Sequence, residues 1–185
     1  MTSKFELFSL KDKNVLLTGS AGRLGTQFAH VLSGAGANVI LVDMDNASNK
    51  KLERELISQY QTKPTAFCVD ISKQNEMKQL TKKIISKYKK IDILINNAHF
   101  IPRTHPKRDT SFEDYPLDLW NKTTSVNMRS LFLCCQEIGR QMLLQKKGII
   151  INISSIYGIT GADQRIYGKS RLNSPAFYAA TKGAM

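Results

Sequence analysis

Five short apolar runs alternate with helix-length amphipathic stretches, and this alternation narrows the possible folds more than any other feature of the chain. The runs are Asn14–Thr18, 39–42, 66–69, 91–95 and 148–154, each closed by glycine or by a polar residue. Between them, Phe28, Ala29, Val31 and Leu32 form an apolar stripe that Gly34 and Gly36 end. A polar helix around 50–60 turns Leu52, Leu56 and Ile57 inward, and further helices are expected over 73–89 and 120–145. Strands apolar on both faces and separated by helices mean βαβ units and a parallel sheet. Right-handed crossovers then put helices on both sides. The expected class is α/β: a three-layer, doubly wound fold with a mostly parallel sheet.

Composition excludes several classes. The 185 residues are 42% hydrophobic with five prolines, which suits one globular domain over 1–185 and not a collagen-like, mucin-like or disordered chain. No apolar run is long enough to cross a membrane. The N-terminal segment lacks a secretory pattern, so the expected compartment is the cytoplasm. Cys68, Cys134 and Cys135 are odd in number and contain no C-x-x-C pair, so free thiols are expected, with no disulfide framework and no metal site. The net charge of +12 suggests nucleic acid at first sight. Yet Lys78, Lys82, Lys83, Lys87, Lys89 and Lys90 interleave with Met77, Leu80, Ile84, Ile85 and Tyr88 at helical spacing. That is the solvated face of an amphipathic helix. An anionic small molecule is the expected partner, not nucleic acid or a membrane.

The first run leads into Thr18-Gly19-Ser20-Ala21-Gly22-Arg23-Leu24-Gly25. Glycines remove side chains where a turn must be tight and where a diphosphate would approach the backbone; the helix that follows offers free N–H groups and a positive dipole end. Strand, glycine turn and helix in that order indicate a dinucleotide site. Asp43 closes the second run eighteen residues after Gly25. A carboxylate there accepts from ribose hydroxyls and repels a 2′-phosphate, so NAD is favoured over NADP. Arg23 is read as an exposed first-turn residue, although a guanidinium there would also suit a phosphate. Asp70 ends the third run, where it can accept from adenine or cap a helix. Asn96-Asn97-Ala98-His99 follows the fourth run at the sheet edge where such folds bind ligands. His99, alone in a loop, is expected to be structural or solvent-facing.

Tyr178 and Lys182 stand four residues apart, which places both on one helix face. A free phenol titrates near 10, and a neighbouring cation favours the phenolate, making the phenol a usable acid or base. Ser154 and Ser155 end the fifth run, where a hydroxyl can hydrogen-bond a reacting oxygen.

Taken together, Thr18-Gly19 with Gly22 and Gly25, Asp43, Asp70, Asn96-Asn97-Ala98, Asn127, Ser154-Ser155 and Tyr178-Ala-Ala-Thr-Lys182 resemble a short-chain dehydrogenase/reductase along essentially the whole chain. The resemblance implies a Rossmann fold and a catalytic tetrad of Asn127, Ser155, Tyr178 and Lys182. It implies cofactor contacts from Gly19, Gly22, Arg23, Leu24, Gly25, Asp43, Asp70, Asn97, Ala98, Tyr178 and Lys182. The cofactor is NAD, which exchanges the hydride directly with substrate carbon. The implied activity is oxidation of a secondary alcohol, or reduction of the ketone.

Three positions depart from the family. Arg23 takes the place of the usual middle glycine, and His99 replaces a glycine and narrows the nicotinamide side of the pocket. The spacing of 23 residues between Ser155 and Tyr178 is longer than usual. The extra segment, 158–175, carries Arg165, Lys169 and Arg171, and a second basic loop carries Arg103. These four are the expected substrate contacts, suited to a sugar phosphate or nucleotide sugar. The segment also resembles oxidoreductases of flagellin modification and surface-polysaccharide synthesis. The alternatives are a reductase of lipid or other small carbonyl compounds, and a catalytically dead nucleotide-binding scaffold. The chain stops inside the helix bearing Tyr178 and Lys182, without the family's last strands. It therefore reads as truncated and of doubtful activity by itself, the full-length form being expected as a homodimer or homotetramer.

Overall fold

The computed structural model describes residues 6–170 and 172–185, the side chain of Glu6 excepted. Arg171, expected as a substrate contact, lies outside the described residues. The chain packs as two units: one ends at Ala98 and resumes over Leu133–Asn152, and the other comprises His99–Phe132 and Ile153–Met185.

The first unit holds the sheet. Strands β1 (Asn14–Thr18), β2 (Asn38–Asp43), β3 (Thr65–Cys68), β4 (Ile93–Asn96) and β5 (Ile149–Asn152) line up in the order β3-β2-β1-β4-β5. Every pairing is parallel, with Leu16 beside Ile40 on one side and Leu94 on the other. The reversal of order at β1 is the switch point at which such sheets leave a ligand crevice. Helices α1 (Arg23–Gly34), α2 (Asn46–Gln59) and α3 (Gln74–Tyr88) connect the first four strands. Leu16, Ile40, Val42 and Leu94 pack with Met77, Leu80 and Ile84 of α3 and with Leu133, Cys134 and Ile138. The alternate residues Val15, Leu17, Val39 and Leu41 are equally buried. Two-sided burial is what the unbroken apolar runs require.

Two expectations need adjustment. Helix α2 begins at Asn46, not near Lys50, because the Asp45 carboxylate accepts from Ser48 N at 3.0 Å and caps it earlier. The fifth run is strand only over Ile149–Asn152, and it is not buried on both faces: Ile149 is 58% exposed and Ile151 42%. It pairs with β4 alone, so it is an edge strand, and its isoleucines are left only partly covered.

The described residues of the second unit form no strand. Helix α4 (Leu117–Gln145) gives its N-terminal part to this unit and its C-terminal part to the first. Two 3₁₀ turns, Ile156–Gly158 and Gln164–Tyr167, precede α5 (Ala176–Gly183). Phe177 is fully buried and anchors α5. Gly158 lies against the end of α5; a Cβ there would meet the Lys182 carbonyl oxygen at 2.5 Å and the Ser154 hydroxyl at 2.7 Å.

Candidate active site

In the first unit the turn after β1 is a cradle made by backbone. Gly19 has φ +66°, and a Cβ on it would stand 2.7 Å from Ala98 Cα. A Cβ on Gly25 would strike the Gly19 carbonyl oxygen at 2.0 Å. Helix α1 starts at Arg23 from Gly22 with no side chain capping it, so its N-terminal N–H groups have no side-chain acceptor. The donor set and the missing side chains fit a diphosphate. Asp43 braces this turn: one carboxylate oxygen accepts from Ala21 N at 2.9 Å, the other from Asp45 N at 3.0 Å. Each oxygen retains a lone pair that ribose hydroxyls can use.

Asn97 acts as a clamp. Its amide donates to the carbonyls of Thr18 (3.1 Å) and Gly19 (3.0 Å), while Thr18 Oγ1 accepts from the N–H groups of Asn97 and Ala98. Asp70 accepts from both the N–H and the hydroxyl of Ser72. Burial raises its carboxyl, but the Ser72 bonds and Lys73 outweigh that, and it titrates below the usual range. Asp70 does not cap α3, which starts from Lys73 with no side-chain cap; its carboxylate closes a turn onto Ser72 instead. Arg23 and Leu24 are exposed in the first turn of α1. Sequence reasoning missed Asn49, fully buried on α2. It accepts from Ser20 Oγ at 2.7 Å and donates to Leu41 O and Phe67 O. An asparagine within a polar helix carries no pattern that would single it out.

In the second unit Ser155, Tyr178, Lys182 and Asn127 are held by a continuous set of contacts. Ser155 caps the first 3₁₀ turn, its oxygen accepting from Tyr157 N at 3.2 Å, which leaves the hydroxyl proton free for a ligand. Ser154 donates to the Lys182 carbonyl at 2.6 Å and so supports the end of α5. Lys182 is 6% exposed, and its ammonium donates to Ile153 O at 2.5 Å. Burial holds this lysine below the ordinary lysine value.

Asn127, 1% exposed on α4, accepts from Phe100 N at 2.7 Å and donates to Phe100 O at 3.1 Å. The Tyr178 ring stands edge-on to His99 (5.4 Å between centroids) and to Tyr157 (6.4 Å). His99 itself is half-buried and bonded to Asn127 and Thr181, the structural of the two alternatives expected for a lone loop histidine. Burial, assisted by the Lys182 charge, pushes its pKa down to about 4, so the ring is neutral near pH 7.

Ser155 and Tyr178 both line a cavity of about 380 Å³ within this unit. Its walls combine Ile101, Leu172 and Phe177 with Tyr157, Tyr167 and Asn173, and among the described lining residues the cation is Arg108. Arg108 Nε bonds Asp109 at 2.8 Å, and Nη1 donates to Arg103 O at 3.2 Å. The expected contacts Arg103, Arg165 and Lys169 are not among the lining residues. All three are exposed, and Arg165 is occupied by a two-pronged pair with Asp163. The loops are as polar as expected, but a residue's charge does not say which way its side chain turns.

Residues 13–185 match the family model for "short chain dehydrogenase". The chain belongs to that family. Among its relatives is the 2-dehydro-3-deoxy-D-gluconate 5-dehydrogenase of Bacillus subtilis (strain 168), 35% identical over 156 residues, which are 84% of this chain and 58% of the relative. Another is the 5-keto-D-gluconate 5-reductase of Escherichia coli (strain K12), 33% identical over 180 residues, 97% of this chain and 64% of that one. The crystal structure of an NAD+-bound xylitol dehydrogenase superposes with a TM-score of 0.82 at 25% identity, covering 94% of this chain and 61% of the other. The chain thus spans about 60% of the length of these family members. Among the described residues no helix is long and apolar enough to cross a membrane.

Proposed function

We propose that the whole protein is an NAD-dependent oxidoreductase acting on a secondary alcohol or ketone of a sugar-like substrate. The observation that carries this reading is that Ser155 and Tyr178 share one cavity wall, with buried Lys182 one turn along α5 from Tyr178. A hydroxyl donor, a phenol and a cation in one unit are what carbonyl–alcohol interconversion requires. Ser155 donates its free proton to the substrate oxygen and orients it. Tyr178 takes the alcohol proton in oxidation and returns it in reduction. Lys182 would hold the nicotinamide ribose, and Asn127 fixes the backbone at Phe100. NAD, when bound, supplies the hydride acceptor. Gly19, Gly22 and Gly25, the first turn of α1 and Asp43 would hold it, with the Asp43 carboxylate favouring NAD over NADP.

The names of the gluconate relatives support a polyhydroxylated acid as substrate. Arg108 is the cation in the cavity wall that suits its carboxylate. A sugar phosphate or nucleotide sugar is the second arm of the test. An assembly of two or four copies belongs to the same proposal, because α4 leaves Phe132 (60%), Leu143 (79%) and Leu144 (76%) exposed. The test follows absorbance at 340 nm with NAD and NADP in parallel, across gluconates, polyols, sugar phosphates and nucleotide sugars. Turnover of a gluconate or polyol with NAD is expected. Binding of NAD without turnover of any of them would favour the scaffold reading.

A further inference from the structure

We infer that His99 is a positioning residue for proton transfer, its Nε2 taking the second amide proton of Asn127 while its ring backs Tyr178. The inference rests on the functional reading above and adds a residue to its machinery.

Hydrogen-bond bookkeeping decides the roles. Asn127 Oδ1 accepts from Phe100 N and Nδ2 donates to Phe100 O, so the orientation of the amide is set by the backbone. The second Nδ2 proton then faces His99 Nε2 at 3.2 Å, which makes Nε2 an acceptor. Thr181 Oγ1 stands 3.1 Å from the same nitrogen and 3.2 Å from the Tyr178 carbonyl, and it shares its one proton between those acceptors. A ring protonated on Nε2 could still donate to Thr181 Oγ1, but it would set a second donor 3.2 Å from the Asn127 amide, so the Asn127 contact puts the proton on Nδ1. That atom is buried and has no partner among the described residues. A buried donor left unpaired is costly, and here the cost accompanies an acceptor role at Nε2.

The charged and titratable groups facing the ring are Lys182 and Tyr178, both from α5, while α4 presents the neutral Asn127. A second positive charge beside Lys182 is disfavoured, which keeps the imidazole neutral and the acceptor intact. The ring also stacks on Phe177 at 6.1 Å between centroids and meets Tyr178 edge-on. One side chain from the loop after β4 thus touches the α4 asparagine, the α5 threonine and the α5 tyrosine. Glycine in its place would remove all three contacts.

The experiment uses the protein at its natural length, with 5-keto-D-gluconate and NADH as the probe. His99→Phe keeps a ring and loses the acceptor; His99→Gln keeps a neutral acceptor at similar reach. We expect kcat to fall about 30-fold in His99→Phe with KM for NADH unchanged, and to recover to within about threefold of wild type in His99→Gln. In parallel, imidazole ¹⁵N spectra of the wild type should place the proton on Nδ1 from pH 8 down to pH 5. A wild-type kcat in His99→Phe overturns the inference, and so does an Nε2-protonated ring or titration near 6.5. Should the wild type turn over neither this probe nor the wider panel, the functional reading fails, and the ¹⁵N spectrum alone then decides the placement of His99.

Discussion

Around β1 the important contacts are made by backbone. Gly19, Gly22 and Gly25 matter for the side chains they lack, and Asp43 and Asn97 bond main-chain N–H and C=O groups within the same unit. In the second unit the contacts are made by side chains from three separated segments: His99 and Phe100, Asn127, and Tyr178 to Lys182. The first arrangement is rigid, because a turn of defined φ and close approach tolerates few residue types. In the second, a substitution removes a particular group without deforming the chain around it. Errors in the first should therefore appear as lost binding or lost stability, and errors in the second as lost rate.

The widest separation between the two is expected from Tyr178→Phe. The phenol proton disappears while ring packing persists, so kcat should fall about 1,000-fold with NADH affinity unchanged, read by steady-state kinetics and NADH fluorescence. Gly25→Ala should do the opposite. Its Cβ would press on the Gly19 carbonyl at 2.0 Å, costing about 3 kcal/mol in urea unfolding and abolishing NADH binding.

Next comes pH. The folded state holds His99 at about 4, while an unfolded histidine titrates near 6.5. As pH falls from about 6.5 to about 4 the unfolded chain takes up a proton that the fold refuses, so stability declines through that window and not below it. Allowing for the ring's partial exposure, wild type should lose about 2 kcal/mol more than His99→Phe across it, measured by urea unfolding at each pH.

Asp43→Asn should weaken NAD about tenfold and narrow the preference over NADP, since the amide no longer repels a 2′-phosphate. The smallest effect belongs to Arg165→Ala. Its pair with Asp163 is exposed, so stability should not change measurably and KM should change by less than about twofold. A large KM change there would restore the cationic loop to the substrate site.

The glycine turn, Asp43, and the Tyr178–Lys182 and Ser155 positions were legible in the residues because each answers a local demand: a φ above zero, a strand end, a helix face. Strand β1 was bounded correctly for the same reason, an apolar run between polar stops. The role of His99, the clamp by Asn49 and the close approach of Gly158 to Lys182 were not, because each is defined by a partner at least 24 residues away in the chain. In the loops charge alone did not say which side chain reaches the cavity: Arg165 and Lys169 are not among its lining residues, whereas Arg108, from the basic loop that carries Arg103, is.

The order of apolar runs and turns by itself determined a parallel α/β sheet and the residues at its strand ends, since periodicity and backbone sterics act within a few residues. Which side chains bond one another, which cation enters the cavity wall and which nitrogen of His99 is left to accept a proton were decided only by the tertiary structure. Those outcomes depend on distances and burial between segments that are far apart along the chain.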